Sequence, residues 1–213
     1  EGDEDDDNPC HGLLLLRTLE VFVSKGPVIS ESECRDVVVA ANAYTQSAGG
    51  WATSRHYSVP TTDIPVRALP RVLDWFRSCC RKRLFPMLET LYGVPPRRLG
   101  VNDAFIVKYT AEAQRHLPLH TDQSALSLTI ALNGSGGDDH HPSHEGGDAD
   151  GPEDAVGSFE GGGTYFEQIG RPLCPCAGGL VAFPGELSHG GQPITKGVRY
   201  IIAVFLYVIE EEV

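Results

Sequence analysis

Cysteine is scarce in this chain of 213 residues, cations are outnumbered, and no long apolar run occurs. Six Cys are too few for disulfides to stand in for a hydrophobic core, so no disulfide scaffold is expected. Cys79 and Cys80 are adjacent on an expected helix and cannot readily bridge each other. Cys174-Pro175-Cys176 has only a superficial likeness to a redox or metal pair, and its thiols read as free or loosely paired. No stretch approaches the roughly 20 apolar residues of a membrane-spanning helix; the Leu13–Leu16 run is typical of what is there. A cleavable signal with a basic start is also missing, and the chain opens on Glu1 rather than Met. An excised domain or a mature form is therefore expected, with the cytoplasm and the endoplasmic reticulum lumen both left open as compartments.

Positive charge is the third shortage: 17 Lys and Arg against 29 Asp and Glu, a net charge of −12. The imbalance is local. Residues 1–7, residues 134–158 and Glu210–Glu212 together hold 16 of the acids and none of the bases. In the remainder, 13 acids meet 17 bases, a net of +4. A body this mildly basic suits an acidic macromolecule at most and is too weak to imply nucleic acid as a partner.

What is present is length enough for one domain with a real core. Residues 1–9 read as a disordered acidic tail. Residues 10–103 read as a strand and supporting helices, and residues 104–213 as the functional core of the same domain. Leu13 to Val23 alternates toward its end and predicts a strand. Ser30 with Glu33 forms a capping-box signature before Cys34, Val37, Val38, Ala41 and Tyr44, which predicts a helix over 31–47 ended by Gly49-Gly50. A second helical region is predicted from Ile64 to Tyr92, with a buried stripe of Leu69, Val72, Leu73, Phe76, Cys80 and Leu84. Pro86 should break or kink it. Its opposite face carries Arg77, Arg81, Lys82 and Arg83, a charge run that reads as solvated. Between the two helical regions, His56 is a candidate ligand or substrate contact; pairing with local backbone is the plainer reading.

The second half alternates as strands do. Phe105, Val107 and Tyr109 share one face. Ser127 and Thr129 share another, and polar residues on an inward face need partners. Residues 134–158 have almost no apolar content and predict a flexible insertion, too long for an ordinary connection. Its His140, His141 and His144 read as adventitious chelators, since no rigid strand holds them. Gly161-Gly162-Gly163 is expected to open a further strand, and Gly178 to Gly185 forms another. Seven or eight short strands after two helical regions predict a mainly β fold with helical support, a double-stranded β-helix or jelly roll with N-terminal helices packed on one sheet.

Within that frame His120-Thr121-Asp122 carries the chemistry. On a strand, residues i and i+2 share a face, so His120 and Asp122 would project side by side. An imidazole and a carboxylate are two thirds of the facial triad of non-haem Fe(II), and a distant His completes it. His189, at a strand end before Gly190-Gly191, is the best third ligand. Zinc binding by His116 and His120 at i, i+4 is rejected, because Pro118 between them opposes a helix. Arg199 opens the apolar run Tyr200–Leu206. A guanidinium entering a buried strand needs an anionic partner, and its planar fork suits a carboxylate. If no Asp or Glu meets it, a bound dicarboxylate is the natural candidate.

The pattern His120-x-Asp122 … His189 … Arg199 resembles the Fe(II)/2-oxoglutarate dioxygenases, in particular their prolyl and lysyl hydroxylase branch. The resemblance runs from about Ala104 to Val208 and includes Ser127–Asn133, Phe159–Phe166 and Gly197–Ile201. It implies His120, Asp122 and His189 as iron ligands and Arg199 as the anchor of the 2-oxoglutarate distal carboxylate. Ser127, or Thr129 as second candidate, would help Arg199, ahead of bonding within the core; Tyr109 would lie near the cosubstrate, with a satisfied core hydroxyl as an equal reading. It implies Fe(II), 2-oxoglutarate and O2 as cofactor and cosubstrates, with ascorbate as a further requirement. The reaction implied is hydroxylation of a protein or peptide side chain with release of succinate and CO2. Asp122 disfavours the related halogenases, and the absence of a second Arg in register after Arg199 disfavours nucleic-acid demethylases. Glu160–Gly163 and Gly197–Ile201 look closest to lysyl hydroxylases, while the compact chain resembles small prolyl hydroxylases. Proline is placed slightly ahead of lysine, and a small molecule third. A non-catalytic jelly-roll binding module is the alternative of a different class.

Overall fold

The computed structural model describes residues 20–53, 55, 59–136 and 156–210. The expected acidic tail, most of the expected strand from Leu13, His56, and residues 137–155 with their three His lie outside these.

Helix α1 (Glu31–Ala48) begins where the capping signature places it. The Glu33 amide donates to Ser30 Oγ at 3.2 Å, and the Ser30 amide donates back to the Glu33 carboxylate at 2.8 Å. It ends at Gly49, whose φ of 82° lets its amide reach back to the Thr45 carbonyl. The second helical region differs from the continuous one expected. Ile64 belongs to a strand, β2 (Asp63–Pro65), and a 3-10 turn over Val66–Ala68 precedes α2 (Pro70–Cys79). Pro65 and Pro70 explain the delay: the first cannot donate inside a helix and the second is suited to a helix start. Pro86 does not end the helix either. A π turn at Cys80–Leu84 widens the coil, the Phe85 amide bonds to the Cys80 carbonyl, and α3 (Phe85–Tyr92) continues past the proline.

The described strands form two antiparallel sheets. One has the order β1 (Phe22–Val23), β9 (Leu180–Pro184), β5 (Leu126–Ala131), β11 (Ile194–Val208), β3 (Leu99–Thr110) and β2, with β6 (Phe159–Gly161) pairing the start of β11. The smaller sheet has the order β4 (Leu117–His120), β10 (His189–Gly191), β7 (Thr164–Phe166) and β8 (Arg171–Leu173). This is the predicted jelly roll. Gly161 ends β6, and Gly162 and Gly163 lead from it into β7, the three having φ of 77°, 76° and 104°.

The two-residue period of the strands divides the large sheet into two functions. Ile106, Leu128, Ile130, Ala182, Ile202 and Val204 join Val37, Ala41, Phe76 and Leu84 of the helical segments in one core. Their neighbours Phe105, Val107, Tyr109 and Ile201 pack separately, beneath the smaller sheet. Strand β5 is buried along its whole length because it meets the helices on one face and the smaller sheet on the other.

Glu33 fastens the helical layer. Besides closing the cap, its carboxylate accepts from Trp75 Nε1 at 2.8 Å and from Arg83 Nη1 at 2.9 Å. The Arg83 guanidinium, foremost, holds its carboxyl well below the ordinary carboxylate range. A carboxyl lowered in the folded state stabilises fully above its unfolded value near 4.5 and less as the pH falls below it. Glu33→Gln should therefore cost about 1–3 kcal/mol near neutral pH. Urea titrations should find the gap from the parent narrowing below about pH 4.

Candidate functional site

The smaller sheet brings His120 and His189 together. Strands β4 and β10 pair with His189 opposite His120, and the ring centroids are 4.4 Å apart. Gly190 permits this approach: a Cβ there would stand 2.7 Å from the Leu117 carbonyl oxygen. Each imidazole is oriented by backbone. His120 Nδ1 lies 2.8 Å from the Pro118 oxygen and His189 Nδ1 2.8 Å from the Leu187 oxygen. A carbonyl only accepts, so both Nδ1 atoms carry the proton and both Nε2 atoms present a lone pair.

Those lone pairs face Asp122, with His120 Nε2 3.4 Å from Oδ1 and His189 Nε2 3.4 Å from Oδ2. Asp122 is not on the strand that the HxD spacing suggested. β4 ends at His120, and the Asp122 amide turns away to donate to the Gly185 carbonyl at 2.8 Å. The side chains converge nonetheless, because Gly185 lies just before His189 on the returning chain. Burial pulls both imidazole pKa values down. At His120 the Asp122 carboxylate and the Pro118 carbonyl outweigh it and leave the value raised; at His189 burial prevails. Among the described residues, His120, Asp122 and His189 are the one group of such side chains able to hold a metal, their ligand atoms within 4.8 Å of one another. Two imidazole nitrogens and a carboxylate oxygen suit Fe(II).

Arg199 lies on the same cavity, a space of about 430 Å³ that also reaches the three metal-binding candidates. It is 2% exposed and forms no ion pair with a described carboxylate. Its Nη1 donates weakly to the Gly163 carbonyl at 3.4 Å, and its guanidinium lies 5.5 Å from the Tyr109 ring and 5.9 Å from the Phe159 ring. Gly162 makes room for it, since a Cβ there would come within 3.2 Å of Arg199 Cδ and 2.9 Å of Phe159. Burial pushes the Arg199 pKa down and the Tyr109 pKa up, so Tyr109 stays a neutral phenol beside a cation. A buried guanidinium without an acid matches a carboxylate-bearing ligand.

The remaining sequence candidates separate. Thr129 lines the cavity, as does Tyr109. Ser127 does not: its hydroxyl donates to Asp122 Oδ2 at 2.6 Å, so the expected cosubstrate contact is replaced by one to a metal-binding candidate. The reason is register. Ser127 lies level with Phe183 and Phe205, near Asp122, whereas Thr129 is one step along the strand toward Arg199. Sequence reasoning missed Ser124, whose hydroxyl is 2.8 Å from Ser127 Oγ. It also missed the wall formed by Arg55 and Asp103, paired at 2.9 Å. Arg55 stands in a segment with no periodicity to place it.

No family model matches the chain. Procollagen-lysine,2-oxoglutarate 5-dioxygenase 1 of Bos taurus is 30% identical over 188 residues, 84% of this chain. The homologues of the present chain are procollagen-lysine 2-oxoglutarate dioxygenases. The human multifunctional procollagen lysine hydroxylase and glycosyltransferase LH3 is 31% identical over 193 residues, again 84% of this chain. The chain spans 23% of the length of each of these two dioxygenases. Among solved structures, the viral collagen prolyl hydroxylase of Paramecium Bursaria Chlorella virus-1, in complex with 2-oxoglutarate, superposes with a TM-score of 0.53 at 15% identity, over 88% of this chain and 94% of that one. AviO1 from Streptomyces viridochromogenes superposes at 0.61 and 13% identity, over 95% and 96%. These likenesses establish the shared dioxygenase fold, on which the pairing of His120 with His189 depends. Gly190→Ala tests that dependence: backbone crowding should lower stability by about 1–3 kcal/mol in thermal unfolding. It should also weaken Co(II) binding in calorimetric titration.

Proposed function

We propose that the chain is an Fe(II)- and 2-oxoglutarate-dependent dioxygenase that hydroxylates a protein side chain. The observation that carries this reading is the buried Arg199, which forms no ion pair with a described carboxylate, on the same cavity as the His120, Asp122 and His189 donors. A binding module with a structural metal has no use for an unneutralised guanidinium beside it. When bound, Fe(II) with 2-oxoglutarate and O2 supplies the oxidation, in which the oxo acid is converted to succinate and CO2 and one oxygen atom enters a substrate C–H bond.

The chain's residues prepare that reaction. His120 and His189 offer Nε2 lone pairs whose direction is set by the Pro118 and Leu187 carbonyls. Asp122 adds one negative charge and leaves the opposite side of the site open to the cavity. Arg199 would neutralise the far carboxylate of the dicarboxylic acid, with the Tyr109 ring beside it and Thr129 on the same cavity. Phe105, Val107, Ile201 and Phe205 give the cavity an apolar wall. The His189 ring packs on Phe183, with centroids 4.5 Å apart, which limits its rotation.

Two side chains are the candidate substrates. Lysine is supported by what the sequence relatives are named for, at 30–31% identity. Proline is supported by the viral collagen prolyl hydroxylase that shares the fold. Succinate release measured with Lys- and Pro-containing collagen-like peptides decides between them, and release with neither, above a His189→Ala blank, would remove the protein-hydroxylase reading. Anaerobic Fe(II) with 2-oxoglutarate should give a visible charge-transfer band. Arg199→Ala should raise the 2-oxoglutarate concentration needed for that band by roughly 100-fold, the scale of removing one partner of a buried charge pair; an unchanged requirement would favour the binding module.

A further inference from the structure

We propose that Ser127 is a positioning residue that sets the orientation of the Asp122 carboxylate, and that Ser124 directs Ser127. Ser127 is 1% exposed and sits in the middle of the large sheet, level with Phe183 of β9 and Phe205 of β11. Ladders on both sides fix its backbone, so its hydroxyl is delivered from a rigid element. That hydroxyl has one proton. The carboxylate of Asp122 only accepts, so at 2.6 Å from Oδ2 the proton is committed there. Ser124 Oγ, 2.8 Å from Ser127 Oγ, must then be the donor in its own bond. Gly185 leaves space for Ser124, because a side chain there would run into its hydroxyl and carbonyl. The result is a one-way chain of hydrogen bonds from Ser124 to Ser127 to Asp122.

The chain ends on one oxygen of the two. Oδ2 receives the short bond and lies 3.4 Å from His189 Nε2, while Oδ1 lies 3.4 Å from His120 Nε2 with no hydroxyl of the described residues on it. Ser127 therefore occupies a lone pair of Oδ2 and resists rotation of the carboxylate, so that Oδ1 would be the freer oxygen for a metal. Groups that orient a ligand carboxylate in this way are worth about 10- to 100-fold in metal affinity. This inference rests on the reading of His120, Asp122 and His189 as a metal site.

Co(II) added to the apo-protein, followed by calorimetry and by its visible ligand-field spectrum, tests it without turnover. Ser127→Val and Ser127→Thr have nearly the same shape and differ in the hydroxyl, so they separate hydrogen bonding from packing. The expected result is a loss of 10-fold or more in Co(II) affinity and a shifted spectrum in S127V, both recovered in S127T, with a loss of a few-fold in Ser124→Ala. S127V and S127T behaving alike, whether both normal or both impaired, overturns the proposal. Parent protein that binds no Co(II) would instead overturn the metal-site reading itself.

Discussion

One buried positive charge sets the terms for this structure. Taking a guanidinium out of water is costly unless its donors and its charge are answered. At Arg199 the described chain answers only in part, with the Gly163 carbonyl and the faces of Tyr109 and Phe159. Much of the surrounding construction serves to hold the side chain where it is. Three consecutive left-handed glycines bring the β6–β7 turn against it. Asn133 brackets it, donating to the Val198 carbonyl at 2.7 Å and accepting from the Tyr200 amide at 2.8 Å. The same Asn133 donates to Gly157 at 2.6 Å, so both ends of the long insertion are drawn to the residues flanking Arg199.

The metal-binding candidates obey a different logic. They lie at the ends of short strands, where the chain turns and side chains are free to converge. Two of them are aimed by carbonyls two residues earlier in their own chain, a local device that any tertiary setting would preserve. The third depends on contacts outside its own strand, through the Asp122 amide on Gly185 and the carboxylate on Ser127. The large sheet thus anchors the charge and the carboxylate, and the smaller sheet supplies the imidazoles. The cavity exists because the two are stacked.

Where sequence reading succeeded, the signal was local or periodic. The Ser30–Glu33 cap is a contact between residues three apart, and the alternation along Phe105, Val107 and Tyr109 is the strand's own geometry. Where it fell short, distant partners decided. Ile64 was expected to begin the second helical region, yet pairing with Ile106 draws it into a sheet. Pro86 was expected to break or kink a helix, and a π turn absorbs it. Ser127 and Thr129 were equivalent by alternation; only the position of Asp122 beyond β4 separates them.

The amino-acid order alone therefore determined the jelly roll, the helical layer, and the four candidate side chains His120, Asp122, His189 and Arg199, because each follows from periodicity, capping, or the spacing of rare His, Asp and Arg residues beside apolar strands. The tertiary structure decided how those side chains are placed: that Asp122 lies beyond its strand, that the Ser127 hydroxyl donates to it, and that Arg199 forms no ion pair with a described carboxylate. Those outcomes depend on pairings between segments up to about a hundred residues apart, and no local pattern encodes which polar group will be nearest across a sheet.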